Sequence, residues 1–170
     1  MRVYVPATVG MLQELAEQQE ISPVSGTAFA VTPALREFYT SGSTEELEYA
    51  AMQDAARASL RLLTGERDRA TEDERPARRR AVISADIDDV THRSDLDAAV
   101  VRIAGAIPLS KVAAVHVDTS EAEEAVEAAV DAIDAADLGD PDAELTLGDV
   151  EDHELAWYAP QELSLLLQLL

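Results

Sequence analysis

Residues 81–87 read AVISADI, and residues 112–117 read VAAVHV. Both stretches are short, nearly all apolar and rich in β-branched side chains. The second is the kind of continuous apolar run that is found in a buried central strand. We therefore predict that both stretches are strands and that the fold is organised around them.

The rest of the chain alternates between strand patterns and helix patterns. Further strands are predicted at residues 2–5, 26–31, 99–107 and 155–158. Capping residues or a first-turn proline predict helices that begin near Thr8, Thr32, Ser43, Ser120 and Pro160. Because strands and helices interleave irregularly, we expect an α+β fold with a mixed sheet of about five or six strands packed with helices.

Residues 65–80 are densely charged and lack apolar periodicity. They contain six of the 13 Lys and Arg residues of the chain. We predict a flexible charged loop at about 65–80 within a single domain that spans residues 1–170. Three roles remain open for the last arginines of this loop. They could bind a phosphate, pair with the acidic C-terminal half within the chain or across a dimer, or act as charged gatekeepers that suppress aggregation of the apolar strand that follows. These arginines are Arg75, Arg78, Arg79 and Arg80.

The formal net charge of the 170 residues is −21, and it is unevenly distributed. Lys111 is the last Lys or Arg, and 16 Asp and Glu residues follow it. Nucleic-acid binding depends on Lys and Arg that replace counterions, so this composition argues against direct binding of DNA or RNA. The charge favours a basic protein partner, or it serves solubility alone.

The chain contains no cysteine, which excludes a disulfide framework, a thiolate metal site and a cysteine nucleophile. No apolar run approaches the roughly 20 residues that a membrane span needs, and the N-terminal segment lacks the apolar core of a signal peptide. The composition therefore predicts a cytoplasmic protein that does not insert into membranes.

Leucines cover most of the circumference of the predicted C-terminal helix. A single core-facing stripe cannot bury all of them. The helix is therefore either packed wholly within its own chain or shared with a second copy. For the second case, we predict a homodimer interface formed by Leu163, Leu165, Leu166, Leu169 and Leu170.

Two acidic clusters have the composition of a metal site. Hard divalent cations prefer clustered carboxylates at a rigid strand end, and residues 86–92 supply Asp86, Asp88, Asp89 and His92. Asp is also a common turn residue, so an ordinary turn is the alternative. Residues 140–151 match several ligand positions of a calcium loop, but Leu145 stands where that loop needs glycine.

Three further residues are candidates for a polar site. Asp54 interrupts the apolar stripe of the longest predicted helix, so it is either paired with Arg57 and Arg61 or is a cleft carboxylate with a shifted pKa. His116 and Asp118 share one face of the predicted strand at 112–117 and are candidates for acid–base chemistry. The alternative is that His116 is simply hydrogen-bonded near the core. The lack of a serine in a G-x-S-x-G nucleophile motif favours this alternative over catalysis.

Four further segments read RVYVPAT at residues 2–8, GTAFAVTPAL at 26–35, EELEYA at 45–50 and WYAPQE at 157–162. Together they resemble a family of actinobacterial proteins of unknown function. The resemblance implies no activity, cofactor or catalytic residue.

Three hypotheses follow from these patterns. The first is a small acidic interaction or regulatory domain, dimeric through its C-terminal leucines. The second is a divalent-metal-dependent enzyme that uses Asp86, Asp88 and Asp89, with His92 or His116 moving protons. The third is a domain that binds a small cationic or polar ligand in a cleft near Asp54. No cofactor can be assigned.

Overall fold

The computed structural model describes residues 1–74 and 77–170. Within these ranges the chain forms nine strands and six α-helices. The strands are β1 Arg2–Ala7, β2 Glu20–Ile21, β3 Thr27–Ala30, β4 Ala81–Asp86, β5 Val90–His92, β6 Val100–Ile103, β7 Ile107–Pro108, β8 Val112–Val117 and β9 Ala156–Tyr158. The helices are α1 Val9–Gln18, α2 Pro33–Phe38, α3 Thr44–Arg69, α4 Glu123–Asp137, α5 Pro141–Glu151 and α6 Leu163–Leu169.

Seven of the strands form one sheet in the order β5-β6-β3-β1-β4-β8-β9. The α+β prediction is confirmed, and the two stretches that suggested it, β4 and β8, lie side by side near the centre. The sheet differs from the expected mixed sheet of five or six strands, because all pairings between its described strands are antiparallel. β2 and β7 pair separately as a small second sheet.

Helices cover both faces of the large sheet. On one face, α1 and α6 pack over the inward side chains of the central strands, including Val5, Ile83 and Val115. On the other face, the first half of α3 contributes Leu47 and its neighbours to a second core. The period-two alternation of the strands therefore sends apolar side chains to two separate cores.

A third core lies beyond the sheet. It is formed by Leu60 and Leu63 from the second half of α3, together with the apolar stripes of α4 and α5. α4 and α5 pack as a helical hairpin, and the turn between them contains Gly139 at φ 91°, a backbone conformation that glycine adopts without strain. The long helix α3 thus joins the sheet to the hairpin.

The local structure differs from the sequence-based expectations in three places. α3 continues to Arg69, so the first residues of the expected loop at 65–80 are helical. Residues 141–151, where no helix was predicted, form the helix α5, with the side chain of Asp140 accepting a hydrogen bond from the backbone N–H of Ala143. Ser120 does not cap α4, because a short 3-10 turn, Ser120–Ala122, precedes that helix. By contrast, Ser43 caps α3 as predicted, accepting from the N–H of Glu46.

Candidate functional site

Asp54 lies in a polar cleft where α3, the α4–α5 turn and the sheet meet. The cleft has a volume of about 470 Å³. Its wall on the sheet side includes Phe29 and Asp97, and its wall on the hairpin side includes Asp137, Gly139 and Glu144. The elements that form it are far apart in sequence, so only the folded chain brings these groups together.

The arginines near Asp54 are bound by other acids. The guanidinium of Arg57 donates from Nη2 to Asp137 Oδ1 at 3.0 Å and to Glu144 Oε1 at 3.1 Å. Arg61 donates from Nε to Asp137 Oδ2 at 2.7 Å. Among the described residues, Asp54 forms no salt bridge within 4.0 Å. The predicted Asp54–Arg57 and Asp54–Arg61 ion pairs are therefore wrong, although both arginines lie on the same helix.

Burial in this cleft, and secondarily the nearby charge of Asp97, raises the pKa of the Asp54 carboxyl to about 6. Arg57 and Arg61 oppose this rise, but their charge is shared with Asp137 and Glu144. A half-buried carboxylate with a raised pKa inside a cleft is a candidate binding or acid–base group. Of the two interpretations of Asp54, the geometry favours the cleft carboxylate.

His116 and Asp118 do not form a pair. His116 Nε2 lies 2.7 Å from Ser84 Oγ, while Asp118 is held by the buried guanidinium of Arg80. Burial, and secondarily the charge of Arg2, lowers the pKa of His116 to about 4, so the ring is neutral near pH 7. Ser84 is only 2% exposed. The arrangement is therefore that of a hydrogen-bonded histidine near the core.

A second, smaller groove of about 250 Å³ lies above this histidine. Its floor includes Tyr4, Ser84 and His116 from adjacent strands, and its rim includes Tyr49 of α3 and Trp157 of β9. No sequence pattern indicated this groove, because its residues come from four strands and one helix.

The four residues of the predicted metal cluster are not brought together. Asp86 ends β4 and accepts a hydrogen bond from Arg2 Nε at 2.8 Å, which lowers the pKa of its carboxyl. Asp88 and Asp89 lie exposed in the following turn, and His92 lies on β5, paired with Val101. Within the described part of the chain, no group of three or more His, Asp or Glu side chains has the arrangement of a metal site. Metal binding at these residues stays a prediction.

The C-terminal leucines divide into two sets. Leu163 and Leu166 are 2% and 3% exposed and belong to the core of their own chain, so they cannot contribute to an interface. Leu165 and Leu169 are 58% and 72% exposed, and Leu170 is also exposed. Of the five leucines predicted to form an interface, only these three lie at the surface of the single chain, and the interface stays a prediction.

The arginines before β4 pair with the acidic C-terminal half of the same chain. Arg78 binds Glu127 at 2.9 Å and Arg79 binds Glu123 at 3.2 Å. Of the roles left open by the sequence, the structure supports the internal ion pairs for these residues. Arg75 lies outside the described residues.

The fold and the cleft define the chain as an α+β domain with an open polar cavity beside its longest helix.

Among residues 1–74 and 77–170, no helix combines the length and apolar character that a bilayer crossing requires.

The chain belongs to a family of unknown function (DUF6912), whose profile matches residues 1–167. This match confirms the predicted membership of a family without an assigned activity. No curated protein and no solved structure matches the chain.

Proposed function

We propose that the domain binds a small cationic ligand, such as an amine, in the Asp54 cleft. The observation that carries this proposal is the unpaired Asp54 carboxylate, which is half buried while the arginines nearest to it in sequence are engaged elsewhere. A carboxylate held in such a place costs stability unless a cation neutralises it. A bound amine would supply that neutralisation.

The remaining charges of the cleft support a cation over an anion. Arg57 and Arg61 are matched by Asp137 and Glu144, whereas Asp97 has no salt bridge among the described residues. Asp97 accepts one hydrogen bond, from the N–H of Ala98 at 2.7 Å. The two carboxylates left over, Asp54 and Asp97, suit a ligand with one or two ammonium groups.

A titration of labelled protein with 1,4-diaminobutane tests this proposal. We expect saturable NMR shifts at the amides of Gly139 and Asp97, which line the cleft, and no such shifts with neutral 1,4-butanediol. Asp54→Asn should abolish the saturation, whereas Asp134→Asn, which removes an exposed acid of α4, should leave it. Shifts spread evenly over the acidic surface, or insensitive to Asp54→Asn, would contradict the proposal.

A second candidate function is protein interaction. Leu165 and Leu169 lie one turn apart on α6 and are exposed, which supports a homodimer contact that also includes Leu170. Several acids of α4 and α5 have no salt bridge among the described residues, including Asp134, Asp142 and Asp149. These free acids support a basic protein partner that docks on the α4–α5 hairpin.

We also infer a cytoplasmic location, which the absence of cysteine supports. An actinobacterial range for the family is supported by the abundance of Ala and by 12 Arg residues against one Lys, a composition that suits a GC-rich genome.

A further inference from the structure

The groove above His116 is built from two neighbouring rows of side chains across the sheet and one stripe of α3. In the sheet, Tyr4 is the register partner of Ser84, and His116 is the register partner of Trp157. These residues belong to β1, β4, β8 and β9, which are neighbours in the strand order. From α3, residues 45, 48, 49 and 52 line the same groove at helical spacing.

Aromatic rings form much of this groove and remain open to solvent. Trp157 is 62% exposed and Tyr49 is 49% exposed, which is unusual for side chains of this size. Tyr4 lines the same groove from β1 and is only 6% exposed. A surface that leaves two large rings in water beside a third ring has the composition of a site that binds a cation through ring faces.

The fixed charges of the groove have the matching sign. Glu45 and Glu48 line it, and neither has a salt bridge among the described residues. Arg2 also lines it, but its guanidinium is bound to Asp86 at 2.8 Å. The histidine in the floor adds no positive charge near pH 7, because burial lowers the pKa of His116 to about 4. The groove therefore combines aromatic rings with two carboxylates that form no salt bridge among the described residues, although Glu48 also interacts with the Tyr4 hydroxyl.

We propose that this groove is a second binding site, separate from the Asp54 cleft, and that it takes an organic cation. The ligand group is an ammonium or a guanidinium, presented either by a free small molecule or by a Lys or Arg side chain of a partner protein. A neutral sugar or an aromatic acid fits less well, because neither gains from both carboxylates.

Trp157 is the single tryptophan of the chain, so its fluorescence reports on this groove alone. The probes are tetramethylammonium chloride and, as its neutral isostere, tert-butanol, with sodium chloride added to match the ionic strength. We expect a saturable change of Trp157 emission with the ammonium only. An equal response to tert-butanol, or no saturable response to the ammonium, would overturn the proposal.

Two single-charge variants give the matched control. Glu48→Gln removes a carboxylate of the groove, and we expect it to weaken tetramethylammonium binding by about threefold to fivefold. Glu46→Gln removes the same charge from the same helical turn but outside the groove, and should change the dissociation constant by less than about twofold. Equal effects of the two variants would indicate only the general acidic field and would overturn the site.

A short peptide distinguishes the two sources of the cation. If acetylated trilysine saturates the same emission change at much lower concentration than tetramethylammonium, the natural occupant is a basic protein segment. If it binds no more tightly, the occupant is a free ammonium compound. Trp157 lies outside the Asp54 cleft, so a negative result in this groove does not affect the proposal of amine binding in that cleft. A negative result in the Asp54 cleft likewise does not affect this proposal.

Discussion

Arg80 and Asp118 form a buried ion pair at the junction of β4 and β8. Arg80 Nη2 lies 2.8 Å from Asp118 Oδ1, and the two side chains are 1% and 0% exposed. Asp118 Oδ2 also accepts hydrogen bonds from both the backbone N–H and Nε of Arg80, each at 2.8 Å. A further bond runs from Arg80 Nη2 to the carbonyl of His153, which follows α5. The pair therefore fastens the sheet to the end of the helical hairpin.

Removing one member of this pair should be strongly destabilising. Asp118→Ala leaves the guanidinium of Arg80 buried without a counter-charge, and we expect a loss of about 3–5 kcal/mol in the free energy of unfolding. Urea denaturation followed by circular dichroism measures it. The double variant Arg80→Met/Asp118→Leu should recover much of the loss, because it leaves no buried charge. If Asp118→Ala lowers the free energy of unfolding no more than Asp95→Ala, which removes an acid from an exposed pair, the buried pair contributes no more stability than a surface pair.

Replacing the cleft carboxylate should have the opposite effect. Asp54→Asn removes a half-buried charge, and near pH 7 we expect it to stabilise the unliganded protein by about 1–2 kcal/mol, a value reduced for the partial exposure of the side chain. Thermal unfolding at pH 7.5 and at pH 3.5 measures the difference. A gain in stability together with a loss of amine binding would mark Asp54 as a functional group, whereas a loss of stability at pH 7.5 would indicate a structural role.

Asp54 and His116 should give opposite responses to acid. The raised pKa of Asp54 means that its ionisation penalty is present above pH 6 and disappears as the pH falls toward 4, so acidification gains stability there. The lowered pKa of His116 means that the unfolded state takes up the proton first below pH 6.5, so stability is lost between pH 6.5 and about 4, by on the order of 2–3 kcal/mol.

Single variants should separate these two titrations. We expect Asp54→Asn to lose stability more steeply than the wild type between pH 6.5 and 4, and His116→Gln to lose it less steeply. Urea midpoints measured every half pH unit provide the comparison. Parallel curves for the two variants and the wild type would contradict both assignments.

The exposed leucines of α6 should control the oligomeric state without affecting the fold. Leu165→Asp/Leu169→Asp should give a folded monomer, because both side chains lie in solvent in the single chain. Leu163→Asp/Leu166→Asp should instead unfold the protein, because both side chains lie in the core. Sedimentation velocity with circular dichroism distinguishes these results. A wild type that is already monomeric at high concentration would remove the dimer proposal.

Local sequence patterns were sufficient for most of the fold. The apolar runs of β4 and β8 and the cap at Ser43 were recognisable because their signals lie within a few residues. α5 was missed because Gly139 and several acids suggested a loop, although Asp140 followed by Pro141 is a good helix start. The number of strands was underestimated because β5 is short and exposed.

The candidate site was only partly predictable for a different reason. Asp54 was recognisable as a charge on an apolar stripe, but its expected partners, Arg57 and Arg61, are bound by acids about 80 positions later in the chain. Local spacing cannot show such competition for a guanidinium. The groove at Trp157 had no sequence signal at all, because it depends on which strands become neighbours.

The position of α3 between two cores has a consequence for hydrogen exchange. Its first half packs on the sheet, and its second half packs on the α4–α5 hairpin, which is otherwise held mainly by the ion pairs of Arg78 and Arg79 and the bond from Arg80 to His153. We expect a unit attached in this way to open locally at a lower free energy than the sheet, so that its amides exchange sooner. The Asp54 cleft has one wall on the sheet and one wall on the α4–α5 hairpin. A ligand that spans the cleft would therefore hold the hairpin against the sheet and slow hydrogen exchange along α5.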